Sequence, residues 1–261
     1  MAAVQALRRL SGGVRGASLR LLDALLPPRC LTCENEVTAQ GALCPGCFSG
    51  LSPITAPFCA RCGVPFAHEG QGEGAAGLCL RCERMPRAFG AARAALRYDE
   101  GAKRLILPFK HGDRTDLAVP LARQMARAGA ALLAEADLLA PVPAHWRRLL
   151  HRRYDQAALL ARALGRLSGR EVRPDLLRRV RRTAPLADRG AAERAATVEG
   201  AFAVSARGRA VVAGRRVLLV DDVMTSGATA DACARVLLEA GAARVDVLAA
   251  ARVPDPRLKD A

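Results

Sequence analysis

At 261 residues the chain has material for one sizeable domain and a smaller module, each with its own interior. Half of it is hydrophobic, chiefly Ala, Leu and Val, and only 3% is aromatic, so the basic-aromatic interleaving that stacks single-stranded bases is missing. A formal net charge of +15, carried mostly by arginine, favours polyanionic partners (nucleic acid, phosphorylated ligands or an anionic membrane surface), although coding bias toward Ala and Arg yields the same excess without any binding.

Residues 1 to about 27 read as a basic amphipathic helix, with Leu7, Leu10, Val14, Ala17 and Leu21 at alternating three- and four-residue steps. Gly12-Gly13 weaken it and Pro27-Pro28 end it. A presequence or a membrane-surface helix has the same look; a helix packed on the rest of the protein is the preferred reading. No compact apolar core or cleavage site marks a secretory signal, and no apolar run nears the ~20 residues that span a bilayer. A reducing, cytoplasmic setting is expected.

Residues 28–88 hold eight of the nine cysteines in four Cys-x-x-Cys knuckles: Cys30/Cys33, Cys44/Cys47, Cys59/Cys62 and Cys79/Cys82. Knuckles in pairs supply the convergent thiolates of tetrahedral Cys₄ zinc, and disulfides would need an oxidising compartment. Two structural Zn²⁺ ions are expected, with sequential or interleaved pairing left open. All-thiolate ligation keeps no position for water, so the zinc is not catalytic. His68 and the Gly-rich stretch Gly70 to Gly77 read as loop. Cys233, the ninth cysteine, reads as helix packing.

From residue 89 to about 255 strands and helices alternate. Strands are expected over Ala91–Tyr98, Asp137–Val142, Val217–Val220 and Val245–Ala251, with helices over Gly101–Phe109, Leu117–Ala128 and Tyr154–Leu167. Alternation of this kind predicts an α/β domain, a parallel sheet with helices on both faces, binding its ligand beyond the carboxyl ends of the strands. Two motifs fall at such ends: Pro141-Val142-Pro143, and Asp221-Asp222.

The second motif carries the chemistry. The apolar run Val217–Val220 leads into Asp221 and Asp222, then Val223-Met224, the turn Thr225-Ser226-Gly227-Ala228-Thr229, and a helix with Cys233, Val236, Leu237 and Ala240 on one face, stopped by Gly241. A helix start presents unpartnered N–H groups and partial positive charge to a phosphate. Gly227 allows close backbone approach, and Thr225, Ser226 and Thr229 offer hydroxyls. Adjacent carboxylates suit two vicinal ribose hydroxyls and help place a divalent cation held by the ligand's phosphates. No Gly-Lys-Ser/Thr follows, so this is not a P-loop.

The stretch Leu218 to Thr229 closely resembles, without a gap, the phosphoribosyl-pyrophosphate (PRPP) signature of type I phosphoribosyltransferases. Farther out, Leu22 to Cys30, Cys59-Ala60-Arg61-Cys62-Gly63, Tyr98, Lys110-His111-Gly112, the Pro-Val-Pro strand end, His151 to Ala157 and Gly200-Ala201-Phe202 resemble the ComF-like competence family. Against that family's pattern Arg153 stands for Gly and Asp155 for Asn, and Pro185-Leu186 and Ala196-Thr197 replace the usual Gln and Asn. The resemblance implies a type I phosphoribosyltransferase fold preceded by a small double zinc ribbon. It implies that Asp221 and Asp222 hold the ribose and that Thr225, Ser226, Gly227, Ala228 and Thr229 wrap the 5′-phosphate, with Val223 and Met224 in the same PRPP-binding stretch. It further implies Mg²⁺ bound with PRPP, pyrophosphate near Pro141, Val142, Pro143 and Ala144, and a mobile loop over Arg178 to Thr197 whose Arg178, Arg179, Arg181 and Arg182 stabilise the leaving pyrophosphate. Lys110 and Arg153 are further phosphate contacts, Arg153 being grouped with the acids as catalytic. Displacement of pyrophosphate by a nitrogen nucleophile would pass through an oxocarbenium-like state.

Three readings follow. The first is a PRPP-binding protein of DNA uptake, with single-stranded DNA or uptake proteins as partners. The second is a metabolic phosphoribosyltransferase, weakened by the lack of a nucleobase-recognition segment. The third is a zinc-ribbon interaction protein on an idle transferase fold, weakened by the intact acidic pair.

Overall fold

Five parallel strands in the order β1-β7-β6-β2-β3 make the central sheet: β1 (Ala92–Arg97), β2 (Leu138–Pro141), β3 (Glu171–Val172), β6 (Arg216–Met224) and β7 (Arg244–Arg252). A separate antiparallel pair joins β4 (Leu177–Arg179) to β5 (Phe202–Val204). The computed structural model describes residues 27–33, 35–71, 77–144, 154–181, 198–255 and 258. The amphipathic helix expected over 1–27 lies outside these, Pro27 apart. So do Arg153, Arg182, residues 72–76 of the Gly-rich stretch and residues 183–197 of the expected mobile loop. No helix among the described residues is long and apolar enough to cross a membrane.

The chain divides into two compact units after Gly50. The first contains the short helix α1 (Pro45–Ser49) and the Cys30 to Cys47 knuckles. The second contains the sheet and, with it, the Cys59 to Cys82 knuckles and α2 (Leu80–Arg84). Within this unit the exposed edge of β1 is covered: Ile54 N–H donates to the Ala95 carbonyl and Arg97 N–H to that of Ser52. The Ala92 N–H donates to Arg61, inside a knuckle, at 2.7 Å. Gly63, at φ +64°, turns that knuckle so close to β1 that a Cβ would lie 2.5 Å from the Ala92 carbonyl oxygen.

Both sheet faces are apolar because the central strands are buried on both sides. Val217 and Leu219 of β6 pack with Cys233, Ala234 and Leu237 of α8 (Ala228–Glu239) on one face. Leu218 and Val220 point to the opposite face by strand alternation. There α4 (Ala118–Ala128) and α6 (Gln156–Ser168) pack on each other and on β6, β2, β1 and β7. The expected α/β sheet with helices on both faces is therefore present.

Boundaries follow local chemistry. Asp99 caps α3 (Glu100–His111) through Ala102 N–H, and Asp155 caps α6 through Ala158 N–H, each contributing about 1 kcal/mol. Helix α3 continues past the expected end at Phe109 to His111, and it carries Pro108 within its last turn. Strand β6 is longer than the expected Val217–Val220, since β7 pairs with it through Asp221↔Ala249, Val223↔Ala251 and Met224↔Arg252. The acidic pair thus sits inside the last part of the strand. Unforeseen were β3, β4, β5, α5 (Ala130–Glu135) and α7 (Ala206–Val212). They are short, and a period of two or 3.6 cannot be read over two to seven residues.

Candidate functional site

A cleft of ≈ 200 Å³ opens at the carboxyl ends of β2 and β6, lined by Asp221, Asp222, Val223, Thr225 and Thr229 on one side and by Lys110, Val142 and Pro143 on another. Strand alternation sends Asp221 and Asp222 to opposite faces of the sheet, so the carboxylates straddle its edge and both border the cleft. Their side chains brace the backbone that follows: Asp221 Oδ1 accepts from Asp222 N–H at 2.8 Å and Asp222 Oδ1 from Val223 N–H at 2.6 Å. Lys110, in the last turn of α3, places Nζ 3.1 Å from Asp222 Oδ2, with both side chains less than a fifth exposed. Burial pushes the Asp221 carboxyl well above the usual carboxylate range; the neighbouring Asp222 charge adds to this and the Lys110 charge opposes it.

The turn after β6 is shaped by Gly227, in the left-handed region at φ +78°, which starts α8. A Cβ there would meet Met224 Cε at 2.8 Å. Ser226, Gly227 and Ala228 are buried in the turn and Met224 beneath it, while Thr225 is exposed and Thr229 half-buried. Pro141, buried, pairs with Val220 and closes β2, and Val142 N–H donates to the Val220 carbonyl at 2.9 Å. The described residues singled out for the ribose, the 5′-phosphate and the Pro-Val-Pro strand end therefore lie in or directly under one cleft, whereas of the described arginines in the expected mobile loop only Arg179 lines it, and Arg178 and Arg181 do not. Arg153 lies outside the described residues.

Three further residues line the cleft. Asp155 borders the cleft while capping α6; burial raises its carboxyl and the Asp222 charge contributes. Gln156, buried, donates from Nε2 to the Lys110 carbonyl, and Tyr154 Oη donates to that of Phe109, so the start of α6 anchors the end of α3. Arg179 of β4 also lines the cleft, its guanidinium 5.3 Å over the Phe202 ring. Of these, Arg179 belongs to the run expected to stabilise the leaving pyrophosphate. An Asp and a Gln at a helix start look locally like a cap and a first turn.

The eight knuckle cysteines form two sets: Cys30, Cys33, Cys44 and Cys47, and Cys59, Cys62, Cys79 and Cys82, the four sulfurs of each within 4.8 Å of one another. Pairing is therefore sequential. The Cys33–Cys44, Cys33–Cys47 and Cys62–Cys79 sulfurs lie 3.6, 3.4 and 3.7 Å apart, close to the ~3.8 Å edge of a zinc tetrahedron with Zn–S near 2.3 Å. In the second set the Cys62, Cys79 and Cys82 contacts drive the Cys59 thiol far below its usual range, while contact with Cys59 drives Cys82 far above. Thiols so crowded suit a cation. The sets fit structural zinc.

Among the described residues, these are the only groups of three or more metal-capable side chains that converge. A magnesium ion in the cleft would accordingly take most of its ligands from a bound phosphate compound, with Asp221 and Asp222 assisting.

Residues 21–84 match the double zinc ribbon domain and residues 159–261 the phosphoribosyl transferase domain. The chain is 29% identical to the DNA utilization protein YhgH of Salmonella typhimurium over 224 residues, 84% of this chain and 87% of that protein. It is 27% identical to competence protein F of Haemophilus influenzae over 232 residues, 86% and 96% of the two. Glutamine PRPP amidotransferase from B. subtilis is a solved structure with a partial likeness: 21% identity, TM-score 0.35, over 56% of this chain and 30% of that one.

Proposed function

Given that this chain belongs to the ComF-like family, in which a double zinc ribbon precedes a phosphoribosyltransferase domain, we propose that it binds PRPP with Mg²⁺ and serves in the uptake or use of DNA. The observation that carries the ligand is the meeting of Asp221, Asp222, Thr225, Thr229 and Lys110 around one cleft at the sheet's carboxyl edge. Asp221 and Asp222 accept from the two ribose hydroxyls, and the turn from Thr225 to Thr229 takes the 5′-phosphate at the start of α8. The pyrophosphate lies toward Pro141 to Pro143, where Lys110 exchanges its ion pair with Asp222 for the phosphate oxygens. Magnesium, when bound, neutralises pyrophosphate charge.

The part in DNA use is supported by relatives bearing the names competence protein F and DNA utilization protein, and by the charge of +15. The ribbons then act as structural or partner-contacting pieces.

Calorimetry with PRPP and magnesium, on the wild type and on Asp221→Ala/Asp222→Ala, tests the ligand: saturable binding is expected for the first and none for the second. Equal heats from both would remove the reading. For DNA, single-stranded oligonucleotide binding should weaken steeply as salt rises, since phosphate contacts release counterions. Undetectable binding at low salt would leave the partner to be a protein.

A further inference from the structure

Arg252, the last residue of β7, has a side chain that neither the cleft nor the sheet requires, yet it is only 3% exposed. Arginine is almost never buried unless its donors are engaged. One side of its guanidinium faces the second zinc set: Nε donates to the Cys62 carbonyl at 3.3 Å, and Nη2 lies 3.8 Å from Cys62 Sγ. From the other side Nη1 donates to the carbonyls of Met224 at 3.3 Å, Val253 at 2.7 Å, and Thr225. A second guanidinium works beside it. Arg87, between the last knuckle and β1, donates from Nη2 to the Ser226 carbonyl at 3.2 Å, and the adjoining Phe89 ring lies under Gly227.

Three successive carbonyls, of Met224, Thr225 and Ser226, are thus held by arginines on the knuckle side. In a trans peptide the carbonyl and the next N–H point in opposite directions. Holding those carbonyls therefore turns the N–H groups of Thr225, Ser226 and Gly227 the other way. Successive N–H groups with a common direction form a cradle for an anion.

We propose that Arg252 is a positioning residue that sets the phosphate-binding turn from the second zinc set, so that zinc at Cys59, Cys62, Cys79 and Cys82 is a condition of PRPP affinity. This rests on the PRPP reading for its ligand, though the physical link does not. Zinc fixes Cys62, Cys62 orients the guanidinium, and the guanidinium orients the turn. Release of that zinc frees Cys62 and, with it, the carbonyls.

The test uses the full chain as wild type, Arg252→Lys and Arg252→Met, with three readouts: zinc per chain, amide hydrogen exchange of residues 223–229 without ligand, and PRPP/Mg²⁺ affinity. Arg252→Met should keep two zinc ions, exchange faster at 224–228 and bind PRPP about tenfold more weakly, as expected for loss of charged hydrogen bonds. Arg252→Lys, which keeps a donor, should fall between. A Met variant with wild-type exchange overturns the proposal. Should it fail to fold, the wild type stripped stepwise of zinc decides: exchange in the turn must rise as the second zinc leaves, and a turn that stays protected overturns the link. If the wild type binds no PRPP, the functional reading fails while the exchange comparison still decides the coupling.

Discussion

Asp221 is the residue whose electrostatics set the terms for the cleft. Its carboxyl is raised by burial and by Asp222, so the folded, ligand-free protein holds that proton more tightly than the unfolded chain. Stability is therefore lost as pH climbs from the unfolded value of about 4 through the raised folded one. Asp221→Asn removes the penalty: its Tm should exceed that of the wild type, by roughly 2–4 °C for each kcal/mol recovered, and the gap should open above about pH 4. The same variant should lose PRPP binding. A thermal-shift series over pH checks the sign, and an Asn variant less stable than wild type at neutral pH would contradict it. Lys110 is half of a pair that the sequence could only mention, because its partner Asp222 lies 112 positions away and nothing local joins them. Lys110→Met should weaken PRPP about 10- to 100-fold, the range of a charged hydrogen bond, with Mg²⁺ held constant. The acids themselves were legible because the strand-acid-turn-helix pattern is contiguous. Asp155 and Gln156 were not, because their place in the cleft depends on α6 meeting α3.

Strand β6 and the turn into α8 form the element that makes a site out of these residues. The expected strand stopped at Val220 because two aspartates look like a strand's end; pairing with β7 carries it on to Met224. That extension gives the acids the rigidity of a ladder rather than of a loop. Gly227 then reverses the chain at φ +78°. Gly227→Ala would have to hold a Cβ in the left-handed region and displace the end of Met224, at about 1–2 kcal/mol. Met224 is flexible enough to move, so the protein should fold, with Tm lowered by several degrees and PRPP affinity reduced more than that of a surface Gly→Ala control. Urea unfolding with matched ligand titration measures both. An unchanged affinity would mean that the turn does not carry the phosphate. The short pair β4 and β5 escaped the sequence since its register, Leu177↔Val204 to Arg179↔Phe202, joins segments more than twenty residues apart.

Four similar knuckles are one motif in the sequence and two physical objects in the molecule. The Cys30 to Cys47 set belongs to the unit ending at Gly50, and Cys33 and Cys47 are partly open to solvent. In the Cys59 to Cys82 set every sulfur-bearing residue is at most 4% exposed, inside the unit that holds the sheet. Spacing could not reveal this difference, because burial is a property of what packs around a knuckle and not of the knuckle. It has a kinetic consequence. A chelator must reach the metal or await local opening, and opening is cheap where few buried apolar contacts surround a site and costly within a core. Zinc should therefore leave in two steps of one ion each under excess chelator, the first fast and without effect on PRPP binding, the second slow and parallel with its loss. Zinc release followed with a metallochromic dye, alongside PRPP titration of samples taken at each stage, reads both steps. Release in a single phase, or loss of PRPP affinity with the first ion, would show that the two sets share one fate and that burial does not separate them.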